Sequence, residues 1–219
     1  MSTTSPLVVI VGASGRLGSA AAIGFLSNGY HVVGIDRLAS SDGAFPILSV
    51  NAIDESSVQM TFEAIRSEYG VPRVVIQTVG MWAMAPFAET TLSDWKQLID
   101  VNLTTTFLIF REAVRLMTAS GGLGGTLIGI TSRQGSERGV SQQAAYSAAK
   151  AGVVRMVEAI ADEYATSTIN AHALAPSTIL FGSENAQDGV QVEDLVAHCL
   201  YLCSDAGGSL NGATIHAYG

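Results

Sequence analysis

Leu7-Val8-Val9-Ile10-Val11-Gly12-Ala13-Ser14-Gly15-Arg16-Leu17-Gly18 is the stretch on which the fold turns. Five apolar residues run without interruption and stop at a glycine, the pattern of a short strand buried on both faces. Gly12, Gly15 and Gly18 then punctuate a tight turn, and Arg16–Asn28 carries a helical pattern closed by Gly29. A strand that turns through glycines into a helix N-terminus allows close backbone approach and leaves N–H groups free, an arrangement that favours a pyrophosphate. Such turns are common, so the neighbourhood matters. Asp36 lies at the end of the second strand, His31–Ile35, 18 residues after Gly18. At that spacing a carboxylate accepts hydrogen bonds from the hydroxyls of an adenosine ribose.

The same carboxylate repels a 2′-phosphate, so NAD(H) is expected ahead of NADP(H). Arg37, next in sequence, is the group that would bind the phosphate if NADP(H) were used. Arg16 is a further cation near the turn and reads as a solvated surface residue.

Outward from this unit, strands and helices alternate. Phe45–Val50 reads as a third strand, Ser56–Tyr69 as a helix and Arg73–Val79 as a fourth strand. Ser93–Thr118 follows as one long helix, then Gly125–Thr131 as a strand and Gln143–Ala165 as a helix. Thr168–Leu174, helix Val192–Cys203 and Ala213–Ala217 complete the series. That order predicts an α/β fold: one doubly wound parallel sheet of Rossmann type, about seven strands, with helices on both faces. No internal repeat, low-complexity tract or linker divides the chain, so residues 1–219 are expected to form a single domain.

Composition narrows the partners. Hydrophobic residues are 48% and charged ones 14%, enough to build a large core and too apolar for disorder. Mean hydropathy is +0.35, yet the apolar runs are strand-sized, well short of the roughly 18 residues that span a bilayer. Residues 1–6 lack the charged start and apolar stretch of a signal peptide. The expectation is a soluble, cytoplasmic protein. A net charge of −8, with 11 Lys and Arg scattered along the chain, argues against nucleic acid or an anionic membrane. Cys199 and Cys203 read as two reduced thiols on one helix, and four dispersed histidines (His31, His172, His198, His216) suggest no metal site.

Tyr146 and Lys150, in Ala145-Tyr146-Ser147-Ala148-Ala149-Lys150, are four residues apart on a predicted helix and so share a face. A free phenol titrates near pH ~10 and is a poor acid or base at neutrality. An adjacent ammonium favours the phenolate and draws that value toward the working pH. The pair alone occurs on many ordinary helices. A hydroxyl at Ser132 lies fourteen residues before Tyr146, after the fifth strand, with Thr131 and Ser136 as rivals. Ser132 is preferred, although a strand-end hydroxyl also serves as a turn cap.

The chain resembles the short-chain dehydrogenase/reductase family over essentially its whole length. The resemblance rests on the glycine turn, Asn102 in the long helix, Ser132, Tyr146-xxx-Lys150, and the closing stretch Leu200–Asp205 with Asn211-Gly212-Ala213-Thr214. It implies an NAD(P)(H)-dependent oxidoreductase that interconverts a small-molecule carbonyl and an alcohol. Tyr146 would be the general acid or base, and Ser132 would hydrogen-bond the substrate oxygen. Lys150 would depress the Tyr146 pKa and hold the nicotinamide ribose, and Asn102 would position a water that links Lys150 to solvent. A mid-helix Asn facing solvent is the plain alternative. Gly12, Ser14, Gly15, Arg16, Leu17, Gly18, Asp36, Arg37, Asn51, Gly80 and Pro176, with Tyr146 and Lys150, would line the cofactor. Family resemblance also implies a homodimer or homotetramer built through the long helices, whose apolar faces include Ala148, Val153, Met156 and Ile160; burial of these faces within one chain is the alternative.

The chain departs from the family pattern in several places. Arg16 stands where another glycine is usual, Gln77-Thr78-Val79-Gly80 replaces Asn-Asn-Ala-Gly, Asn51 replaces Asp, and Ser177 replaces the glycine after Pro176. The glycine spacing is somewhat similar to that of dihydropteridine reductases, which leaves a pteridine-type reductase open. A non-catalytic dinucleotide sensor or scaffold is the alternative from another class. For the substrate side, Met81–Phe87, with Trp82, and Ile179-Leu180-Phe181 are apolar and loop-placed, which suits an apolar or aromatic carbonyl compound. Packing of Trp82 and Phe87 onto the protein body is an equal reading. The short segment between Ser177 and Val192 predicts an open cleft with relaxed selectivity.

Overall fold

Leu7–Val11 forms β1 in the computed structural model, which describes residues 5–121, 124–182 and 189–219, and all five strand side chains are buried. The first half continues with α1 (Arg16–Ser27), β2 (His31–Asp36), β3 (Ile47–Ser49), α2 (Glu55–Glu68) and β4 (Val74–Gln77). The second begins with α3 (Leu92–Ile99), a π-helical turn (Asp100–Thr104), α4 (Thr105–Ala119), β5 (Gly125–Ile130) and the single-turn α5 (Arg133–Ser136). It ends with α6 (Ala144–Glu163), β6 (Ile169–Pro176), β7 (Thr178–Leu180), β8 (Gly189–Gln191), α7 (Val192–Leu202) and β9 (Thr214–Ala217).

Seven strands make one wholly parallel sheet in the order β3-β2-β1-β4-β5-β6-β9. Alternation along the strands divides the core into two layers, as side chains at successive positions must. Val9, Val11, Val33, Val75 and Leu127 face α2, α4 and α6, meeting Phe62, Phe110 and Val157. Val8, Ile10, Val32, Ile76 and Ile128 face the other way, onto Phe25 of α1 and Leu195 and Leu202 of α7. Each such side chain, fully withdrawn from water, contributes about 1.5–3 kcal/mol. The uninterrupted apolar strands seen in the sequence are therefore a consequence of helices on both faces. Val153, one of the residues read as part of an intersubunit face, belongs to the chain's own core; Ala148 is exposed and Met156 half-buried.

Two features depart from the sequence reading. The long helix Ser93–Thr118 is interrupted at Asp100–Thr104, where side chains compete for main-chain carbonyls. Asn102 Nδ2 donates to Leu98 O (2.9 Å), Thr105 Oγ1 to Val101 O (2.7 Å) and Thr106 Oγ1 to Asn102 O (3.0 Å). In addition, the segment after β6 supplies a small parallel pair, β7 with β8; residues 183–188 of the expected open-cleft segment lie outside the described residues.

His172, in β6, is wholly buried, neither ring nitrogen has a hydrogen-bond partner among the described residues, and burial lowers its pKa to about 4. Its folded value lies below the unfolded ~6.5, so the unfolded chain binds the extra proton between the two. The stability conferred by a neutral His172 is therefore complete above pH ~6.5 and lost as pH falls toward 4, by up to about 3 kcal/mol. His172→Leu is expected to be more stable at neutral pH and to lose that acid sensitivity. Urea titrations of both proteins at pH 7 and pH 4.5 check this; an unchanged pH dependence would contradict it.

Candidate active site

The strand order reverses beside β1, between β1 and β4, which opens a crevice at the carboxyl ends of the strands. The turn after β1 enters that crevice. Gly12 sits at φ +80°, a left-handed conformation costing a side-chain-bearing residue about 1–2 kcal/mol. A Cβ on Gly18 would fall 2.1 Å from the Gly12 carbonyl oxygen, so the helix can start this close to the turn only with glycine there. The N-cap of α1 is Gly15, with no side-chain cap and no acidic residue in the first turn. Its orphan N–H groups thus remain available, as an anion-binding helix end requires.

Asp36 braces this turn: Oδ2 accepts from Ser14 N (2.9 Å) and Oδ1 from Arg37 N (2.7 Å). Arg37 and Asn51 are exposed, the latter donating its backbone N–H to Ser57 Oγ (2.9 Å) at the start of α2. Leu17 is half-buried and Pro176 is buried at the end of β6. Arg16 is exposed but engaged, which corrects its reading as a merely solvated residue: its guanidinium lies over the Phe181 ring, 3.8 Å from the centroid. That contact places Phe181 beside the glycine turn.

A second set of residues is fixed by the end of β5. Ser132 caps α5, accepting from Gly135 N (3.2 Å), so the capping role and proximity to Tyr146 coexist. Of the rivals, Thr131 Oγ1 donates to Lys150 O (2.8 Å), holding α6 against the strand, and Ser136 Oγ bonds the Tyr218 hydroxyl (3.3 Å). A Cβ on Gly135 would lie 2.5 Å from Lys150 Cβ, so glycine permits this close packing. Lys150 is 4% exposed, and its Nζ donates to Ile130 O (2.8 Å). No carboxylate pairs with it among the described residues.

Burial raises the Tyr146 pKa above its ordinary value, partly offset by a side-chain hydrogen bond with Ser132. Burial alone lowers Lys150 to about 8. The expectation that the ammonium pulls the phenol down is thus corrected in this state of the protein. The amine points at a main-chain carbonyl, 5.9 Å from the Tyr146 ring centroid, and desolvation dominates both groups.

Asn102 is fully buried, which removes the solvent-facing alternative. Besides Leu98 O, its Nδ2 donates to Met81 O (2.8 Å), while Oδ1 accepts from Met81 N (3.0 Å). It therefore clamps the loop after β4 in the manner of a strand partner. A Cβ on Gly80 would sit 3.2 Å from both Asn102 Oδ1 and Lys150 Nζ, so Gly80, Asn102 and Lys150 converge. Gln77, in place of the usual Asn, is buried and ties Thr105 Oγ1 (2.9 Å) to Val79 N (3.2 Å).

A cavity of about 250 Å³ adjoins Tyr146, walled by Met81, Ala83, Met84, Ala85 and Leu98 on apolar sides and by Thr90, Asp94, Gln97, Gln142 and Gln143 on polar ones. Trp82 is 57% exposed and donates from Nε1 to Gln143 Oε1 (3.3 Å); Phe87 is 79% exposed, so it does not pack on the body. Neither Trp82 nor Phe181 is among the cavity's walls. The polar wall was missed in the sequence, although Gln142-Gln143 immediately before the helix of Tyr146 is its visible signal. Cys199 and Cys203 are free thiols raised by burial, Cys199 to about 12, and are thus protonated at neutral pH. Among the described residues no three His, Cys, Asp or Glu side chains group as metal ligands, and no helix is long and apolar enough to cross a membrane.

Residues 6–188 match the family model of the short chain dehydrogenases. The chain belongs to the short-chain dehydrogenase/reductase family. The chain is 25% identical to a D-threitol dehydrogenase of Mycolicibacterium smegmatis, across 95% of this chain and 90% of that protein. It is 31% identical to the cis-4-hydroxycyclohexanecarboxylate dehydrogenase of Sinomonas cyclohexanicum, across 78% of this chain and 72% of that one. The aldohexose dehydrogenase of Thermoplasma acidophilum, at 20% identity, superposes with a TM-score of 0.87 over 97% of this chain and 92% of its own, a likeness of fold. This short-chain dehydrogenase/reductase is accordingly an oxidoreductase acting on hydroxyl or carbonyl compounds, in a family that uses NAD(P)(H).

Proposed function

We propose that this enzyme interconverts a small-molecule carbonyl compound and its alcohol, with Tyr146 as general acid/base and NAD(H) as the favoured cofactor. The observation that carries the reading is the convergence of Ser132 and Tyr146 beside a buried Lys150, which no carboxylate pairs among the described residues, at the switch point of the sheet. When bound, the nicotinamide supplies or accepts the hydride. The uncapped α1 N-terminus would hold its pyrophosphate, Asp36 its adenosine ribose, and Lys150 its nicotinamide ribose. Asn51, Gly80 and Pro176 would complete the lining.

Tyr146, kept protonated at neutral pH, suits the delivery of a proton to a carbonyl oxygen during reduction; the reverse direction needs the phenolate. Ser132 can donate to the same oxygen as charge develops on it. Asn102 holds the loop at Gly80 and Met81 against Lys150, so the amine and the loop form one unit, from which a proton relay to solvent would start. The protein is expected to act as a homodimer or homotetramer, which light scattering would check. Oxidation of NADH and NADPH against a panel of ketones, aldehydes and quinonoid pterins tests the activity. Dinucleotide binding with no turnover across that panel would replace this reading with a sensor or scaffold.

Asp36 is the group on which nucleotide choice turns. A 2′-phosphate brought to it meets a carboxylate already committed to two backbone N–H groups, with exposed Arg37 alongside. Wild-type protein is expected to bind NADH more tightly than NADPH, and Asp36→Ala to narrow that ratio about tenfold, or ~1.4 kcal/mol. Dissociation constants from nucleotide fluorescence measure it; tighter NADPH binding by the wild type would overturn the preference.

A further inference from the structure

We infer that Gln142 is a specificity-determining residue that selects small, neutral, polyhydroxylated substrates in the cavity beside Tyr146. The inference deepens the proposed carbonyl/alcohol activity and rests on it.

Gln142 is the one non-glycine residue with a positive φ among the described residues, at +63°. Strained backbone of this kind is retained where surrounding structure holds it, and it concentrates at binding and catalytic sites. Here the holding contact is visible: the Gln142 carbonyl accepts from Ala85 N (2.9 Å), and the next residue, Gln143, accepts from the Trp82 indole (3.3 Å). Together they staple the loop after β4 to the approach of α6, and the cavity lies between those two segments. Glycine would provide the same backbone without strain. A side chain retained at that φ, on a wall shared with Tyr146, is explained by what its amide recognises.

The other walls define the ligand. Gln97, Gln142 and Asp94 line the cavity and are exposed; the two amides have no hydrogen bond to the rest of the described protein, and of the Asp94 carboxylate Oδ2 alone is taken, by Thr91 Oγ1 (2.6 Å). Among the described residues no cation lines the cavity, so a carboxylate or phosphate on the substrate would meet the Asp94 carboxylate and no partner there. A purely apolar substrate would cover these groups without pairing them, which is costly. Hydroxyl groups both donate and accept, and so satisfy amides and a carboxylate at once. At about 250 Å³ the space suits a short polyol or sugar better than a fused-ring body. This proposal departs from the apolar or aromatic substrate expected from the sequence.

The test measures kcat and KM with NAD+ for tetritols, pentitols and hexitols covering the stereoisomers, with butan-2-ol as the monohydroxy reference, in the wild type, Gln142→Gly and Gln142→Asn. At least one polyol is expected to exceed butan-2-ol in kcat/KM by about tenfold or more. Gln142→Gly should erase about tenfold of that preference through the KM for polyols, with thermal stability equal or higher; Asn, which keeps an amide and tolerates this φ, should restore part of it. A wild type that favours butan-2-ol, or a Gly variant with the preference intact, overturns the inference while leaving the carbonyl/alcohol activity standing. A wild type that oxidises no alcohol and reduces no carbonyl compound overturns both.

Discussion

Tyr146→Phe is expected to lower kcat about a thousandfold while leaving the NADH dissociation constant within about twofold of the wild type. The substitution deletes one oxygen. The half-buried ring keeps its place on α6, and Ser132 keeps its cap on the Gly135 amide, so the loop that carries Ser132 has no reason to move. What disappears is the proton source. Its pKa, raised by burial, keeps the hydroxyl protonated at neutral pH in the dinucleotide-free protein. Among the described residues no imidazole or carboxylate is hydrogen-bonded to Ser132, so no neighbour stands ready to take over. Single-turnover rates and nucleotide titrations separate the two effects. Loss of nucleotide binding would mean that Tyr146 is structural, and retention of more than about a tenth of wild-type kcat would move the proton transfer elsewhere.

Sheet order and the site's outline could be read from the sequence because each follows from a local rule. Uninterrupted apolar strands force helices onto both faces, and parallel pairing with right-handed crossovers then brings the glycine turn, Ser132 and Tyr146 to one edge. The π-helical turn could not be seen as a break, since the chain is helical on both sides of it. Its cause, the polar run Asn102-Leu103-Thr104-Thr105-Thr106 within an apolar helix, was nevertheless on view. The Arg16–Phe181 stack joins residues 165 positions apart, and no spacing rule reaches that far. Electrostatics failed for a different reason. The i, i+4 spacing correctly put Tyr146 and Lys150 on one face, but it carried no information about burial, and burial decides both pKa values.

Lys150→Met should yield a protein that is more stable than the wild type at pH 7 and at least about a hundredfold less active. In the unfolded chain this lysine holds its proton to about pH 10.5, and in the fold only to about 8. Between those values the unfolded chain binds the extra proton, so wild-type stability rises with pH from 8 to 10.5, and below 8 the full cost is present. A shift of that size corresponds to about 3 kcal/mol. Met fills nearly the same volume without charge, and it leaves Ile130 O without its donor, which costs back about 1 kcal/mol. The net gain of about 2 kcal/mol should raise Tm by roughly 5 °C. It should shrink as the comparison is moved from pH 7 to pH 10, because the wild type sheds its penalty there and the variant has none to shed. A variant less stable at pH 7, or an advantage that does not change with pH, would show that the lysine is held for the architecture. A gain in stability bought with activity would show the reverse: the fold tolerates an unneutralised cation in its core because the dinucleotide and the proton at Tyr146 require one there.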